Sequence, residues 1–563
     1  MPTITISAKD ICGLIGKEMT QEQLIEAVNL TKCSYQGSTG DEMTIEITSD
    51  RPDLLSAEGI ARELKGLLGV ETGLRKFKAT ESDVVLTIDR SVLDIRPYMS
   101  SAVIANVNLS GDAVRQIMQM QEKLHSTYGR NRRNVSIGVH DLGTITHVLT
   151  YAGVKPDKIS FTPLDETRSM NGKEILELTP KGREYGDIIK HFDRYPLLYD
   201  SDGKVLSLPP IINGVLTRVT DQTRNILLDV TGTDKAMVDH VVTLIATTLA
   251  ERGVDIGTVK VITPSGRERT PDLRGQIWKL RAENVQEVLG VSFTIREIAR
   301  QLKRMRYGVK GDKKGVLTVI APAYRKDLLH EVDLIEDIAI AYGLSRFKPI
   351  VPLTATIGHE REITAFARVI RDLMIGFGFQ EAITYVMANP QVLFEKMKIP
   401  AEEVVEVENP VSVEYSVLRN RLLPGILNFL SYNKHVTYPQ RVFECGDVVL
   451  IDSSAATRSA VRRKLSGAIC DHTVSYEDIQ AVLYSLVQNL GIRTWSVDRL
   501  NHPSFIRGRA ARMLLRDGEV GILGEVDPAI LGRFGLENPV AAFEIDIEKL
   551  MFEREKKSRN GNA

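Results

Sequence analysis

Apolar and polar positions along the chain repeat with two periods, and each period predicts a kind of element. Alternation at residues 3–7 and 43–48 predicts strands, and the spacing over 20–30 predicts a helix between them. In SDRPDLLSAEGIARELKGLLG, Leu54, Ala57, Ala61, Leu64 and Leu68 recur at helical spacing. Asp53 is the predicted N-cap of that helix and Gly69 its stop. TGLRKFKATESD reads as a linker, so these elements outline an N-terminal α/β domain over 1–80.

Over 83–262, predicted strands at 84–88, 101–107 and 226–230 alternate with helices at 113–128 and 235–251, the mixture of an α/β or α+β domain. Residues 196–199, the turn Asp200-Ser201-Asp202-Gly203, and 204–207 read as a hairpin. Over 268–348, a helix at 283–289 precedes one at 294–305, where Thr294 and Glu297 form a capping box. A hairpin over 307–321 and a helix over 328–342, stopped by Gly343, complete a winged-helix-like module. Over 355–551, a helix at 360–375 and strands at 441–444, 511–515, 521–526 and 541–547 predict an antiparallel-sheet domain. Residues 552–563, ending EREKKSRNGNA, read as a disordered tail. The expected fold class is therefore multidomain α+β.

Composition narrows the function. Of 563 residues, 43% are hydrophobic and 26% charged, as in soluble globular proteins, and the length suits about three to five domains. Lys plus Arg is 72 against 73 Asp plus Glu, which excludes a strongly basic nucleic-acid coat. Any nucleic acid must meet local patches or a partner chain. Cys12, Cys33, Cys445 and Cys470 form no CxxC pair, which argues against a thiolate zinc site and for a reducing compartment. The N-terminus lacks the basic start and apolar run of a signal peptide. No stretch nears ~20 uninterrupted apolar residues, so no membrane helix is predicted and a cytoplasmic location is expected.

Three constellations carry candidate chemistry. In KDLLHEVDLIEDIAIAYG, Asp333, Glu336 and Asp337 share one helical face, and Asp327 can fold over it. Mg²⁺ would relieve the repulsion among four carboxylates. A solvated acidic face near a helix N-terminus explains the same residues. Second, Asp229 and Thr231 end a strand, Ser207 ends a hairpin arm, and Pro209, Pro210 and Asn213 follow. Such polar groups at strand ends can line a ligand pocket or simply cap the strands. Third, Arg130, Arg132 and Arg133 follow a helix, and Lys303, Arg304, Arg306, Lys310, Lys313 and Lys314 crowd the winged-helix-like block. Both stretches suit phosphate contacts or plain solvation. His140-Asp141 is a lone pair better suited to strand-end packing than to a metal, and His191 and His240 lack motif context. Trp278 and Trp495 suit core or interface anchors.

With these residues in view, the chain resembles the β subunit of phenylalanyl-tRNA synthetase in its shorter archaeal-type form, from about 1 to 550. The markers are TSDRPDLLSAEGIARELKGLLG, SIGVHDL, LPPIINGVLTRVT, DVTGTD, PAYRKDLLHEVDLIEDIAIAYGL, NPVSVEYSVLRNRLLPGIL, FECGDVV and GILGEVDPAILGRFGLENPVAAFEID, in one fixed order. The resemblance implies an α₂β₂ heterotetramer that joins phenylalanine to tRNA(Phe) with ATP and Mg²⁺, with ATP bound by the α subunit. The second block then corresponds to the editing domain, which hydrolyses mischarged tyrosyl-tRNA(Phe), with a pocket at Leu198, Ser207, Asp229 and Thr231. An apolar synthetic pocket cannot fully reject an added hydroxyl, which makes a second hydrolytic site useful. The metal set carries over to Asp327, Asp333, Glu336 and Asp337. The fourth block corresponds to a class II synthetase domain lacking catalytic motifs. Its RVFECGDV has no clear Arg-x-Glu clamp, and NPVAAFEIDIEKL has no Gly-rich turn or phosphate-pairing arginine. Competing readings are a free-standing mischarged-tRNA deacylase, a non-catalytic tRNA-binding scaffold, and a winged-helix DNA regulator resting on the third block alone.

Overall fold

The N-terminal alternation becomes a three-stranded antiparallel sheet of Thr3–Ser7, Glu42–Ile47 and Cys33–Thr39. Ile4, Ile6, Met43, Ile45 and Ile47 fill its buried face. The computed structural model describes residues 1–107, 111–353, 356–516 and 518–560, without the side chains of 111–112, 312–313 and 554–560. The chain divides into two units, Met1–Val351 and Pro352–Ala563.

In the first unit, helix Gln21–Asn29 carries a capping box between Thr20 and Gln23. Helix Ala57–Leu67 departs from expectation: Ser56, rather than Asp53, is its N-cap, accepting from the Gly59 amide at 3.1 Å. Asp53 sits in the preceding turn, buried, and accepts two hydrogen bonds from Arg51 at 2.8 Å. The ion pair claims the carboxylate because Pro52 turns the chain back beside the guanidinium.

The centre of this unit is a ten-stranded mixed sheet. Its path runs Ile212–Asn213, Val205–Leu208, Tyr195–Asp200, Val148–Val154, Ala79–Ile88, Asp255–Thr263, Tyr98–Ala105, Ile226–Gly232 and Val135–Asp141. Strand Gly266–Thr270 adds to Asp255–Thr263. Helices Gly111–Ser126 and Lys235–Leu249 pack on one face, where Ile226, Leu228 and Val230 meet Ile117, Val238 and Ile245. Each such aliphatic side chain contributes about 1.5–3 kcal/mol when removed from water. The period of two sends Leu227, Asp229 and Thr231 to the opposite face. There the two ends of the sheet meet. Asn213 Nδ2 donates to the Val139 carbonyl at 3.4 Å, and Ser207 Oγ to Asp229 Oδ2 at 3.2 Å. The sheet therefore curls until its first and last strands enclose a space.

Within residues 268–348, helix Ile295–Arg304 shows the expected Thr294–Glu297 capping box, and Gly308–Lys313 pairs with Val316–Ala321. A third strand, Gln276–Arg281, joins them antiparallel. The exposed Ile277 beside Trp278 masks its alternation in the sequence. The last helix is Glu331–Tyr342, three residues shorter at its start than expected, because His330 and Asp333 form a capping box there.

The second unit is built on a seven-stranded sheet. Its order is Gln380–Glu381, Gln440–Ile451, Ser459–Cys470, Val540–Asp546, Gly518–Val526, Phe505–Leu515 and Trp495–Arg499. All neighbours are antiparallel except the first pair. Helices Glu362–Gly376 and Tyr476–Asn489 build one core, and Leu423–Tyr432 with Pro528–Phe534 another. Helix Ile547–Asn560 replaces the expected tail over most of 552–563; residues 561–563 lie outside the described residues. Among the described residues no helix is long and apolar enough to cross a membrane.

Candidate functional site

The curled sheet encloses a cavity of about 560 Å³, whose lining includes Glu122, Arg132, Ser136, Ser207, Thr217 and Asp229. Strand Ile226–Gly232 places Asp229 opposite Gly138, and Thr231 opposite Ser136, in the pairing with Val135–Asp141. Residues 136, 138 and 140 share a face by the strand period, so His140 joins the same side. Its Nε2 lies 2.8 Å from Asp229 Oδ2, and its Nδ1 lies 2.7 Å from Thr217 Oγ1. Ser207 donates to the same Asp229 oxygen. Asp229 is 2% exposed and His140 0%. Gly138 makes this approach possible, since a Cβ there would fall 2.5 Å from Asp229 Oδ2 and 2.6 Å from His140 Nε2.

The four residues expected at this pocket separate into three positions. Ser207 and Asp229 line the cavity and touch each other. Thr231 lies beneath it, its hydroxyl 2.8 Å from Ser136 Oγ and accepting from Arg96 Nε at 2.9 Å. Leu198 pairs with Ser207 across the hairpin, but its side chain belongs to the apolar core with Leu206 and Leu227. His140 was missed as a site residue because its partner is Asp229, 89 positions away, rather than the adjacent Asp141. Asp141 serves the turn after the strand, accepting from Gly143 N and Thr223 Oγ1. The usable signal was the pattern Ser136-x-Gly138-x-His140, small and polar on one strand face.

Charge around the cavity is held locally. Arg132 is buried, with its guanidinium on the Pro210 and Ile211 carbonyls, on Glu122 at 2.9 Å, and 4.3 Å from the Tyr185 ring centroid. Arg130 and Arg133 are exposed. A hydrogen bond from His125 and the charge of Arg132 hold the Glu122 carboxyl down at about 2. Burial draws the Arg96 guanidinium down to about 10, with its donors on the Thr231 and Arg133 carbonyls. The arrangement offers carboxylate and hydroxyl oxygens in a partly apolar pocket, able to accept from a ligand hydroxyl and to hold a water.

The four acids of the third block do not form one cage. Arg325, 1% exposed, lies 2.6 Å from Asp327 and 2.8 Å from Asp337, and Tyr307 OH donates to Asp337. Asp333 Oδ2 accepts from the amides of Leu329 and His330 at 2.6 and 2.7 Å. Glu336 is exposed and pairs with Lys32 at 2.9 Å. Among the described residues no three His, Cys, Asp or Glu side chains group as a metal site. In this structure the counter-ion of Asp327 and Asp337 is Arg325, outside the helix, a partner that helical spacing does not reveal. Among the described residues the buried Asp337 Oδ1 has no hydrogen-bond partner.

The basic stretch of the same block is partly structural. Arg304 donates to the Leu67 and Ala341 carbonyls, and the buried Arg306 to Glu71. Lys303, Lys310 and Lys314 are exposed, and the Lys313 side chain lies outside the described residues. In the second unit, a cavity of about 410 Å³ is lined by charges that pair with one another, Arg421 with Glu402 at 2.5 Å and Lys464 with Glu544 at 2.8 Å. Glu444 of RVFECGDV is buried against Arg419 at 2.7 Å. A depression of about 670 Å³ beside Cys12, Gly16 and Met19 is larger but brings no comparable polar network together.

Three family models match segments of the chain. Residues 111–263 match the B3/4 domain, 278–344 the tRNA synthetase B5 domain, and 348–547 the phenylalanyl tRNA synthetase beta chain CLM domain. The phenylalanine--tRNA ligase beta subunit of Pyrococcus furiosus is 40% identical over 557 residues, covering 98% of this chain and all of its own length. That of Methanocaldococcus jannaschii is 39% identical over 555 residues, covering 97% of this chain and all of its own length. The solved N-terminal fragment of the phenylalanyl-tRNA synthetase beta-subunit from Pyrococcus horikoshii superposes with a TM-score of 0.59 at 37% identity. It covers 61% of this chain and 100% of the fragment. Shared identity along nearly the whole length places the chain in the phenylalanine--tRNA ligase beta subunit family.

Proposed function

We propose that this chain pairs with a catalytic α subunit, as α₂β₂, to attach phenylalanine to tRNA(Phe), and that its curled-sheet cavity hydrolyses mischarged tyrosyl-tRNA(Phe). The observation that carries the hydrolytic part is Asp229, buried yet open to the cavity and held by His140 and Ser207. A carboxylate accepts but does not donate, so it reads the tyrosyl hydroxyl, which phenylalanine lacks. Ser207 and the surrounding polar groups place a water at the ester, and holding the two reactants together supplies much of the rate.

Synthesis and the ATP site belong to the α subunit in this reading. The acids in the two motif-like stretches of the second unit, Glu444 and Glu544, already bind Arg419 and Lys464. Mg²⁺ accompanies ATP there and supplies charge to the transferring phosphates. On this chain, Asp333 and Glu336 lie nearest solvent among the four acids and would hold a hydrated ion at most from its edge. The winged-helix-like block and the exposed Lys303, Lys310 and Lys314 contribute to tRNA contact, and the assembly is cytoplasmic.

The test is charging and deacylation by the chain alone and co-expressed with a cognate α-type subunit. Phenylalanine charging only in the pair is expected, and charging by the chain alone would overturn the assignment of synthesis to the partner. In the assembled enzyme, Asp229→Ala is expected to lower hydrolysis of tyrosyl-tRNA(Phe) about 100-fold, as misplacing a reacting group does. Robust hydrolysis by the chain alone would favour the free-standing deacylase. Unchanged hydrolysis in Asp229→Ala would remove Asp229 from the site.

A further inference from the structure

The network around Asp229 is asymmetric. Both of its protein donors, His140 Nε2 and Ser207 Oγ, converge on Oδ2. Oδ1 has no protein hydrogen bond among the described residues, and the residue faces the cavity. A carboxylate's terminal torsion is broad and roughly two-fold, so nothing intrinsic decides which oxygen points outward. The donors decide it. Of the two, His140 is closer, at 2.8 Å against 3.2 Å, and fully buried. Its ring is itself fixed at the other end. The carboxylate requires a proton on Nε2, so in the neutral ring Nδ1 accepts from Thr217 Oγ1 at 2.7 Å. Among the described residues the alternative partner of Thr217 Oγ1 is the Gly214 carbonyl at 3.5 Å. Gly138 leaves the room that lets imidazole and carboxylate meet.

We propose that His140 is a positioning residue: it holds Asp229 so that Oδ1 is presented to the cavity, and through that it sets the preference for a tyrosyl over a phenylalanyl ester. The proposal rests on the hydrolytic reading above. A ligand hydroxyl must approach an acceptor oxygen within about 2.5–3.0 Å and near the carboxylate plane, so the plane's orientation decides whether the hydroxyl is read. Without the imidazole donor, Ser207 alone leaves that plane loosely held. A purely structural His140 would change stability and leave the ratio of the two substrates where it was.

The experiment uses the assembled enzyme and pre-charged tyrosyl- and phenylalanyl-tRNA(Phe), with thermal melting of each preparation as the folding control. His140→Met removes both ring hydrogen bonds and keeps an apolar side chain. His140→Gln restores an N–H donor. For His140→Met, kcat on the tyrosyl ester is expected to fall about 10–100-fold with KM little changed, and the tyrosyl-to-phenylalanyl rate ratio to approach one. His140→Gln is expected to recover most of both losses. Wild-type kcat and ratio in His140→Met, or equal loss in both variants, overturns the proposal while leaving the hydrolytic reading in place. If His140→Met does not fold, Thr217→Val tests the same chain from its far end, with a smaller drop in the ratio expected and an unchanged ratio overturning it. A wild-type assembly that hydrolyses neither ester overturns the hydrolytic reading and this proposal together.

Discussion

Gly138 shows how much a single missing side chain decides. It sits opposite Asp229 in the strand pairing, and a methyl group there would overlap both the carboxylate and the imidazole. Gly138→Ala is therefore expected to separate the pair and cut tyrosyl-tRNA hydrolysis by about 100-fold, measured on the assembled enzyme. Loss of the ester-hydrolysing activity without loss of cooperative melting would locate the effect in the site. Asp53 teaches the reverse lesson. Its sequence context is that of an N-cap, yet Arg51 at 2.8 Å claims it, and a charge-assisted bond outweighs a cap that Ser56 can supply. Single residues were legible where their partners lie within one turn, as with Thr294 and Glu297.

At the scale of elements, the helix Glu331–Tyr342 and the segment before it make one charged node. Arg325 lies between Asp327 and Asp337, all three nearly excluded from water. Removing one partner of a buried ion pair leaves an uncompensated charge and typically costs about 3–5 kcal/mol. Arg325→Met should destabilise this part of the chain by that order, read as a lower urea midpoint of Trp278 emission in a Trp495→Phe background. The chain has only these two tryptophans, so the signal is unambiguous. An unchanged midpoint would mean that the acids are neutralised in another way. Strand Ser459–Cys470 escaped the sequence reading for a related reason. Arg462, Arg463 and Lys464 interrupt its apolar pattern, and each is answered by a neighbour, Glu548, Asp447 and Glu544. Two of these pairs join neighbouring strands and the third reaches the last helix, and such long-range pairs carry no local periodicity.

At the scale of the molecule, distant segments of the first unit are tied through buried polar contacts. His240, on the helix packed against the sheet, is 2.8 Å from the Tyr324 carbonyl and 3.0 Å from Tyr128 OH. Burial pushes its imidazole down to about 4. Its unfolded value is about 6.5, so the unfolded chain binds the proton first as pH falls. The stabilisation is full above pH 6.5 and is lost as pH drops towards 4, by roughly 3 kcal/mol from this group. Urea midpoints of the first unit should fall between pH 7 and pH 4.5, and His240→Gln should flatten that fall. An equal slope in the variant would assign the acid sensitivity elsewhere, with buried His125, also held low by burial, the next group to test.

The order of motifs along the chain determined the family, the mixed α+β class and the position of most long helices, because capping and periodicity act within a few residues. It also placed Ser207, Asp229 and Thr231 in one region. Only the tertiary structure decided that Leu198 is core, that His140 answers Asp229 across 89 positions, and that Arg325 lies against both Asp327 and Asp337. These outcomes depend on strand register and on the curl that brings the ends of a ten-stranded sheet together. A sequence lists which charges and donors exist. Which of them meet is settled by burial, where an unpaired group costs more than any local preference supplies.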